Sequence, residues 1–382
     1  MNKTVSILGA TGSVGRQTLD VVRKRGYRVE FLSAKSDVCA LESAAREFKP
    51  TAVAMSDPDA AADLSTRLSD TDIRVLSGEE GIVEGVRSHG GNVVLNAIMG
   101  SAGLSSTLAA IESGRTLALA NKESLVTAGK IVMSTARAHG SVIIPVDSEH
   151  SAIFQSLRGG DRSEVKGLIL TASGGPFYGR SREELSCVTL EETLAHPTWR
   201  MGKKITVDSA TLMNKGFEII EAAHLFDLAE DKIRVVIHRE SILHSAVEYI
   251  DNTVIGELSV PDMRACIQYA VDYPTRYPAS VAPLDLFAVG SLSFAKPDTE
   301  AFPLLSLARD AARDGGAMGS VLNAADEVAV SAFLQGRISF AKISDTVIQT
   351  YRALSDAKSE HTIEAIRFYD ATARRIAESL IG

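Results

Sequence analysis

Seven short apolar runs (5–8, 29–32, 52–55, 73–76, 93–98, 116–120 and 142–146) punctuate the first 146 residues, with helical patterns between them. No other feature restricts the fold as much. Runs this short, separated by polar stretches long enough for a helix, predict βαβ units and a parallel, doubly wound sheet of Rossmann-like type. The first helix carries its own punctuation. It opens near Ser13, turns Val14, Leu19, Val21 and Val22 inward, places Arg23, Lys24 and Arg25 in its last turn, and stops at Gly26.

The texture changes after residue 146. Residues 147–272 mix strands with glycine-rich loops and short helices and read as an α+β catalytic domain whose sheet has an open edge. One strand is predicted at 235–237. Segments 242–250 and 253–260 flank Asp251-Asn252, which reads as a two-residue hairpin turn. Residues 273–298 hold Pro274, Pro278, Pro283 and Pro297 and read as an extended linker. From 299 to 382 the period is helical. Leu304, Leu305, Ala308, Ala311 and Ala312, then Val328, Ala332 and Phe333, then Ile363, Ile366 and Ala371 recur at helix spacing and predict a bundle of three or four helices.

Charge and cysteine content exclude some classes. Lys plus Arg is 40 against 48 Asp plus Glu, a net charge of −8 with no basic tract, which argues against nucleic acid as a partner. No segment approaches the ~20 consecutive apolar residues of a membrane span. Met-Asn-Lys-Thr leads straight into the first run, so no signal or transit peptide is expected. Cys39, Cys187 and Cys266 are far apart and outside any CxxC pair, and read as reduced thiols in a cytoplasmic protein.

Gly9-Ala10-Thr11-Gly12-Ser13-Val14-Gly15 joins the first strand to the first helix, where a dinucleotide pyrophosphate meets a helix N-terminus. Gly9 permits the tight turn, Gly12 lets backbone approach a phosphate, and Gly15 lets helix and strand pack closely. Thr11 and Ser13 add hydroxyl donors. The tip of the second strand carries Ser33, Lys35 and Ser36, where an NAD site places Asp or Glu. A cation with hydroxyls suits a 2′-phosphate, so NADP is the preferred cofactor. Lys35 as an ordinary solvated lysine stays open.

Asp147 and Glu149 lie two apart at the end of the last run, which on a strand puts both carboxylates on one face. Like charges so close repel unless a cation or proton sits between them. An oxygen-only set suits Mg²⁺ or Mn²⁺ better than Zn²⁺. In Asn214-Lys215-Gly216-Phe217-Glu218, a helix would align Asn214 with Glu218 and Lys215 with Glu218. Taken alone, these acids read by default as solvated strand ends and a surface Lys215–Glu218 pair.

Thr171-Ala172-Ser173-Gly174-Gly175 follows a strand and reads as an anion nest, or as an ordinary loop. Asp208-Ser209-Ala210-Thr211 could add phosphate contacts. Segment 196–204 holds Trp199, the only tryptophan, flanked by polar and flexible residues. It reads as a lid or as packing.

GATGSVG (9–15), ANKESLV (120–126), PVDSEHSAIFQSL (145–157), TASGGPF (171–177), HPTWRMGKKITVDSATLMNKGFE (196–218), PDMR (261–264) and NAADE (323–327) occur in one order and at fitting distances. With these motifs the chain closely resembles the 1-deoxy-D-xylulose 5-phosphate reductoisomerase family of the non-mevalonate isoprenoid pathway. The resemblance implies a homodimer that rearranges 1-deoxy-D-xylulose 5-phosphate and reduces the resulting aldehyde with NADPH, giving 2-C-methyl-D-erythritol 4-phosphate. It implies Asp147, Glu149 and Glu218 as ligands of the divalent metal. Ser173, Ser209, Asn214 and Lys215 would hold substrate phosphate and hydroxyls, Ser148 and His196 would line the substrate, and Trp199 and Met201 would close over it. Thr11, Gly12, Ser13, Val14 and Gly202 would contact NADPH, with Ala34, Lys35 and Ser36 on its 2′-phosphate side and Asn121, Lys122 and Glu123 near the nicotinamide. The family often has Gly where Ala34 stands and Asn where Ser36 and Ser151 stand.

Two rivals share the opening turn. An aspartate-semialdehyde-type dehydrogenase needs a catalytic cysteine with a histidine base, and Cys187 lies in the bland context Leu-Ser-Cys-Val-Thr. A non-catalytic NADP sensor would have no use for the three carboxylates.

Overall fold

The computed structural model describes residues 3–199 and 201–382, so expectations touching Met1, Asn2 and Arg200 lie outside the described residues. The chain forms two units. The first combines the described residues up to Ser124 with Val132–Ser151 and Asp262–Pro283; the second combines Leu125–Ile131, Ala152–Pro261 and Leu284–Gly382.

In the first unit, β1 (Thr4–Leu8), β2 (Arg28–Ala34), β3 (Ala52–Met55), β4 (Arg74–Ser77), β5 (Val93–Asn96), β6 (Thr116–Leu119) and β7 (Ile143–Pro145) form one sheet in the order β4-β3-β2-β1-β5-β6-β7. Every pairing is parallel. β3, β5 and β7 are buried along their whole length, which is why the runs read as continuous rather than alternating. The order reverses direction between β1 and β5, and ligands of doubly wound sheets bind beyond the strand ends at such a point. The first helix, Ser13–Arg25, ends at Gly26 in a left-handed cap with φ 65°, and buries Leu19, Val21 and Val22 as its pattern predicts. Val14, expected inward, is only half-buried because it lies in the opening turn.

The helix Met263–Asp272 belongs to this first unit, although the sequence reading grouped it with the catalytic domain. Lys3 Nζ donates to the carbonyls of Val271 (2.7 Å) and Tyr273 (3.0 Å), and Tyr27 donates its hydroxyl to Asp272 (2.6 Å). The Arg25 guanidinium lies 4.0 Å from the Tyr277 ring centroid. An amphipathic helix advertises an apolar face, but not the sheet that will receive it. The proline-rich stretch is correspondingly split, with 273–283 in the first unit and the rest in the second.

The second unit holds a mixed sheet of β8 (Val165–Ala172), β9 (Ile233–Ile237), β10 (Leu243–Tyr249) and β11 (Val254–Leu258), ordered β11-β10-β8-β9. β9 runs parallel to β8, whereas β10 is antiparallel to both β8 and β11. The hairpin turn spans three residues rather than two. Tyr249 N–H bonds Thr253 O at 2.9 Å, and Asn252 takes φ 66°, a conformation its short amide side chain tolerates. After the short helix Leu286–Val289, the C-terminal region holds Leu304–Asp314, Met318–Leu334, Phe340–Ala353 and Ile363–Ile381. The last faces inward through Ile366, Tyr369, Ala373 and Ala377, leaving Ala371 exposed and Ile363 half-buried against expectation.

Candidate active site

The glycine turn has the geometry its composition demands. Gly9 has φ 77°, and a Cβ there would lie 2.7 Å from Ala97 O, so the loop after β5 can approach only glycine. A Cβ on Gly15 would lie 2.2 Å from Gly9 O, so the helix could not sit on the strand. Gly12 caps the helix without a side-chain partner and no acid stands in the first turn. The leading amides therefore keep their pull on an anion. Thr11 is half-buried and Ser13 exposed beside them.

At the tip of β2, Ala34 is buried while Lys35 and Ser36 are exposed. Ser33 is a correction: it is fully buried, and its carbonyl and hydroxyl accept from the amides of Ala10 (2.7 Å) and Gly9 (3.4 Å). It braces the turn rather than facing a phosphate.

Asn121 is likewise a brace. Its Nδ2 donates to Ile98 O (2.7 Å) and Gly100 O (2.9 Å), and lies 2.8 Å from Glu123 Oε2. This fixes the loop after β5, from which Met99 projects with 83% of its surface exposed. Sequence reasoning passed over that loop. Its signal was available: Ala97-Ile98-Met99-Gly100 ends the strand that flanks β1 at the reversal of the sheet.

Asp147 and Glu149 are not on a strand face. β7 stops at Pro145, and Asp147 caps the helix Ser148–Ser156 by accepting from the amides of Glu149 (3.1 Å) and His150 (3.4 Å). Cap geometry, not the two-residue period, gathers the two acids. Asp147 Oδ1 is also 3.1 Å from His150 Nδ1, and Oδ2 accepts from Lys122 Nζ at 3.2 Å. Ser148 Oγ donates to Glu149 Oε2 at 2.5 Å.

In the second unit, Ser173 follows β8, and Gly174 and Gly175 take φ 79° and 65°. Ser173 Oγ accepts from Gly175 N–H at 3.3 Å and lies 3.0 Å from His196 Nε2. His196 Nδ1 accepts from the amides of Thr198 (3.2 Å) and Trp199 (3.0 Å). Two donors on Nδ1 require the tautomer with its proton on Nε2, which donates to Ser173. Burial, aided by the Arg239 charge, holds the imidazole below its usual pKa and so neutral.

Asn214, Lys215 and Glu218 share a face of the helix Met213–Phe226, as the spacing predicts. Asn214 Nδ2 donates to Glu218 Oε1 at 2.6 Å, and Lys215 Nζ bonds Glu218 Oε2. The reading of Lys215–Glu218 as a surface pair is overturned, because the two side chains are 4% and 1% exposed. Ser209 and Met201 are half-buried and Gly202 exposed, the last capping the helix Lys203–Ala210. Trp199 is half-buried with its ring 6.1 Å from that of His244. Cys187 is exposed and unpaired. Asp147, Glu149 and the nucleotide turn thus stand in the first unit, while Ser173, His196, Ser209, Asn214, Lys215 and Glu218 stand in the second.

Three family models match in succession: 1-deoxy-D-xylulose 5-phosphate reductoisomerase over residues 5–129, its C-terminal domain over 143–226, and a DXP reductoisomerase C-terminal domain over 258–376. A 1-deoxy-D-xylulose 5-phosphate reductoisomerase from Caldanaerobacter subterraneus subsp. tengcongensis is 54% identical, across 90% of this chain and 91% of that relative. The structure of the enzyme from Zymomonas mobilis in complex with NADPH is 40% identical, with a TM-score of 0.93 over 100% of this chain and 99% of that one. A DOX-P reductoisomerase structure in complex with NADPH, fosmidomycin and magnesium is 42% identical, with a TM-score of 0.92 over 99% and 98% of the two chains.

Proposed function

We infer the reaction from one premise: this chain belongs to the 1-deoxy-D-xylulose 5-phosphate reductoisomerase family. It converts 1-deoxy-D-xylulose 5-phosphate to 2-C-methyl-D-erythritol 4-phosphate with NADPH and a divalent metal. The observation that carries this reading is the Asn214–Lys215–Glu218 array, with Lys215 and Glu218 buried, on a chain that matches the family nearly end to end.

The donors suit a hard divalent cation. Asp147, Glu149 and Glu218 offer carboxylate oxygens only, and Asp147 and Glu218 each already draw an ammonium, from Lys122 and Lys215. As the family resemblance implies, these three carboxylates would hold Mg²⁺ or Mn²⁺, which would supply Lewis-acid polarisation of substrate oxygens, while NADPH would supply the hydride.

The chain's own residues do the rest. Ser173 Oγ already accepts from His196 and Gly175, so its own proton remains for a phosphate oxygen. Ser209 and Asn214 add polar contacts, and Lys215 brings an ammonium to the same substrate. Ser148 lines the substrate beside Glu149. His196, held neutral, keeps its Nε2 proton. Trp199 and Met201 shield the reacting carbons from water. In the first unit, the amides following Gly12 hold the pyrophosphate, with Thr11, Ser13 and Val14 around it. Lys35 and Ser36 meet the 2′-phosphate past Ala34. Asn121, Lys122 and Glu123 border the nicotinamide, and Gly202 contacts the cofactor.

The enzyme works as a homodimer in the cytoplasm. Support for the first comes from the apolar edge strand β11 (Val254 50% and Leu258 40% exposed), and for the second from three cysteines that form no disulfide.

The test is loss of NADPH absorbance on adding the substrate with Mg²⁺, then with excess chelator. Turnover that stops with chelator is the expected result. Glu218→Gln should abolish turnover while leaving NADPH affinity unchanged. Equal loss of both would remove Glu218 from the metal set.

A further inference from the structure

Arg239 lies in the connection between β9 and β10, outside every motif that identified the site. Three contacts place it. Its Nη1 donates to Gly175 O at 3.4 Å, its guanidinium lies 4.9 Å from the Tyr178 ring centroid, and its carbonyl accepts from Thr198 Oγ1 at 3.5 Å. One residue thus touches both segments that meet at the Ser173–His196 pair: the loop after β8 and residues 196–199. The guanidinium is half-buried, and among the described residues no carboxylate lies within ion-pair distance of it. Its neighbour Glu240 is committed elsewhere, accepting from the amide (3.2 Å) and hydroxyl (2.7 Å) of Ser293. A partly desolvated cation with five donors and no counter-ion is a standing demand for an anion.

We propose that Arg239 is a further specificity-determining residue, which supplies a positive charge to the phosphate dianion held at Ser173 and ties that loop to residues 196–199. The proposal rests on the phosphorylated substrate inferred above. Gly175 links the two roles, since its carbonyl takes the Arg239 donor while its amide donates to Ser173 Oγ. A guanidinium held over the Tyr178 ring is pre-organised, so little freedom is lost when an oxyanion arrives. The same charge reaches His196. The groups facing that imidazole are Ser173, Arg239 and, past the Trp199 indole, His244 of β10. Arg239 therefore joins burial in keeping His196 uncharged, and its removal shifts the imidazole's titration upward.

The experiment compares the full chain with Arg239→Gln and Arg239→Lys. Inorganic phosphate is titrated calorimetrically, KM and kcat are measured at low and high salt, and the His196 ring is followed by NMR against pH. Arg239→Gln should weaken phosphate and raise KM about tenfold, with a much smaller change in kcat and a flatter salt dependence. Its His196 should titrate at higher pH than in the parent. Arg239→Lys should recover most of the phosphate affinity, because it keeps the charge. Unchanged phosphate binding in Arg239→Gln would overturn the proposal. So would an Arg239→Lys variant as impaired as Arg239→Gln, which would assign the residue to packing on Tyr178. Phosphate binding needs no turnover, so an inactive parent enzyme would sink the proposed reaction while leaving the comparison of variants decisive for Arg239.

Discussion

Lys35 stands exposed just past the buried end of β2, with its ammonium in water. A 2′-phosphate there gains a charge-assisted contact that NADH cannot make. Such contacts contribute about 1.5–3 kcal/mol, less when exposed, so Lys35→Ala should weaken NADPH about tenfold and leave NADH nearly unchanged. Fluorescence titration of both cofactors measures this, and an unchanged preference would refute the 2′-phosphate role. Side-chain commitment was not legible in the sequence. Ser33 and Lys35 looked alike as hydroxyl and cation at a strand tip, yet Ser33 turns inward to hold Gly9 and Ala10. Arg239 left no trace in any motif, because its role comes from two segments distant in sequence. Lys215 and Glu218 read by default as a surface pair, since their i,i+3 spacing fixes a shared helix face but not what covers it.

Between elements, the helices Lys203–Ala210 and Met318–Leu334 are joined by charge rather than by apolar packing alone. Lys204 Nζ lies 2.7 Å from both Asp208 Oδ2 and Asp326 Oδ2, and the two aspartates are 3% and 0% exposed. Two buried carboxylates against one ammonium leave an excess negative charge. Burial first, and Asp326 next, push the Asp208 pKa well up, so that a proton fills the gap. A carboxyl raised in the folded state stabilises fully below its ordinary pKa, and that contribution fades as pH rises through the folded value. Asp326→Asn removes the excess charge and should flatten the pH dependence of stability, matching or exceeding the parent near pH 8. Lys204→Met leaves two uncompensated acids and should cost about 3 kcal/mol. Urea unfolding across pH distinguishes them, and equal losses would show that Asp326 is needed as an anion. The helix Met318–Leu334 was legible from its 3.6-residue period, whereas Lys203–Ala210 falls where the sequence reads as a loop. The three-residue turn at Asn252 and the helix cap at Asp147 were not, because each depends on where a neighbouring element stops.

At the scale of the whole molecule, the seven parallel strands were read from periodicity almost at their observed limits, and the C-terminal helices as a bundle of three or four without limits. The grouping of segments into units was not, since three stretches of chain contribute to each. The outer edge of β11 pairs with no strand among the described residues, and Val254 and Leu258 are exposed on it. A second copy would cover this edge. Light scattering should give twice the chain mass, and Val254→Arg should shift it toward one chain. A parent protein of single-chain mass would overturn the homodimer.

The return of Asp262–Pro283 to the first unit has a consequence for how that unit is made. On the ribosome, β7 emerges long before the helix that lies beside Lys3 and Tyr27 has been translated. At ordinary elongation speeds the interval is roughly six to twenty-five seconds. Throughout that time the nascent nucleotide-binding sheet is complete in its strands but lacks one of its covering helices. The buried face of Met263–Asp272, with Ile267, Ala270 and Val271, marks the surface that stays bare until then, and so the surface a nascent-chain chaperone would meet.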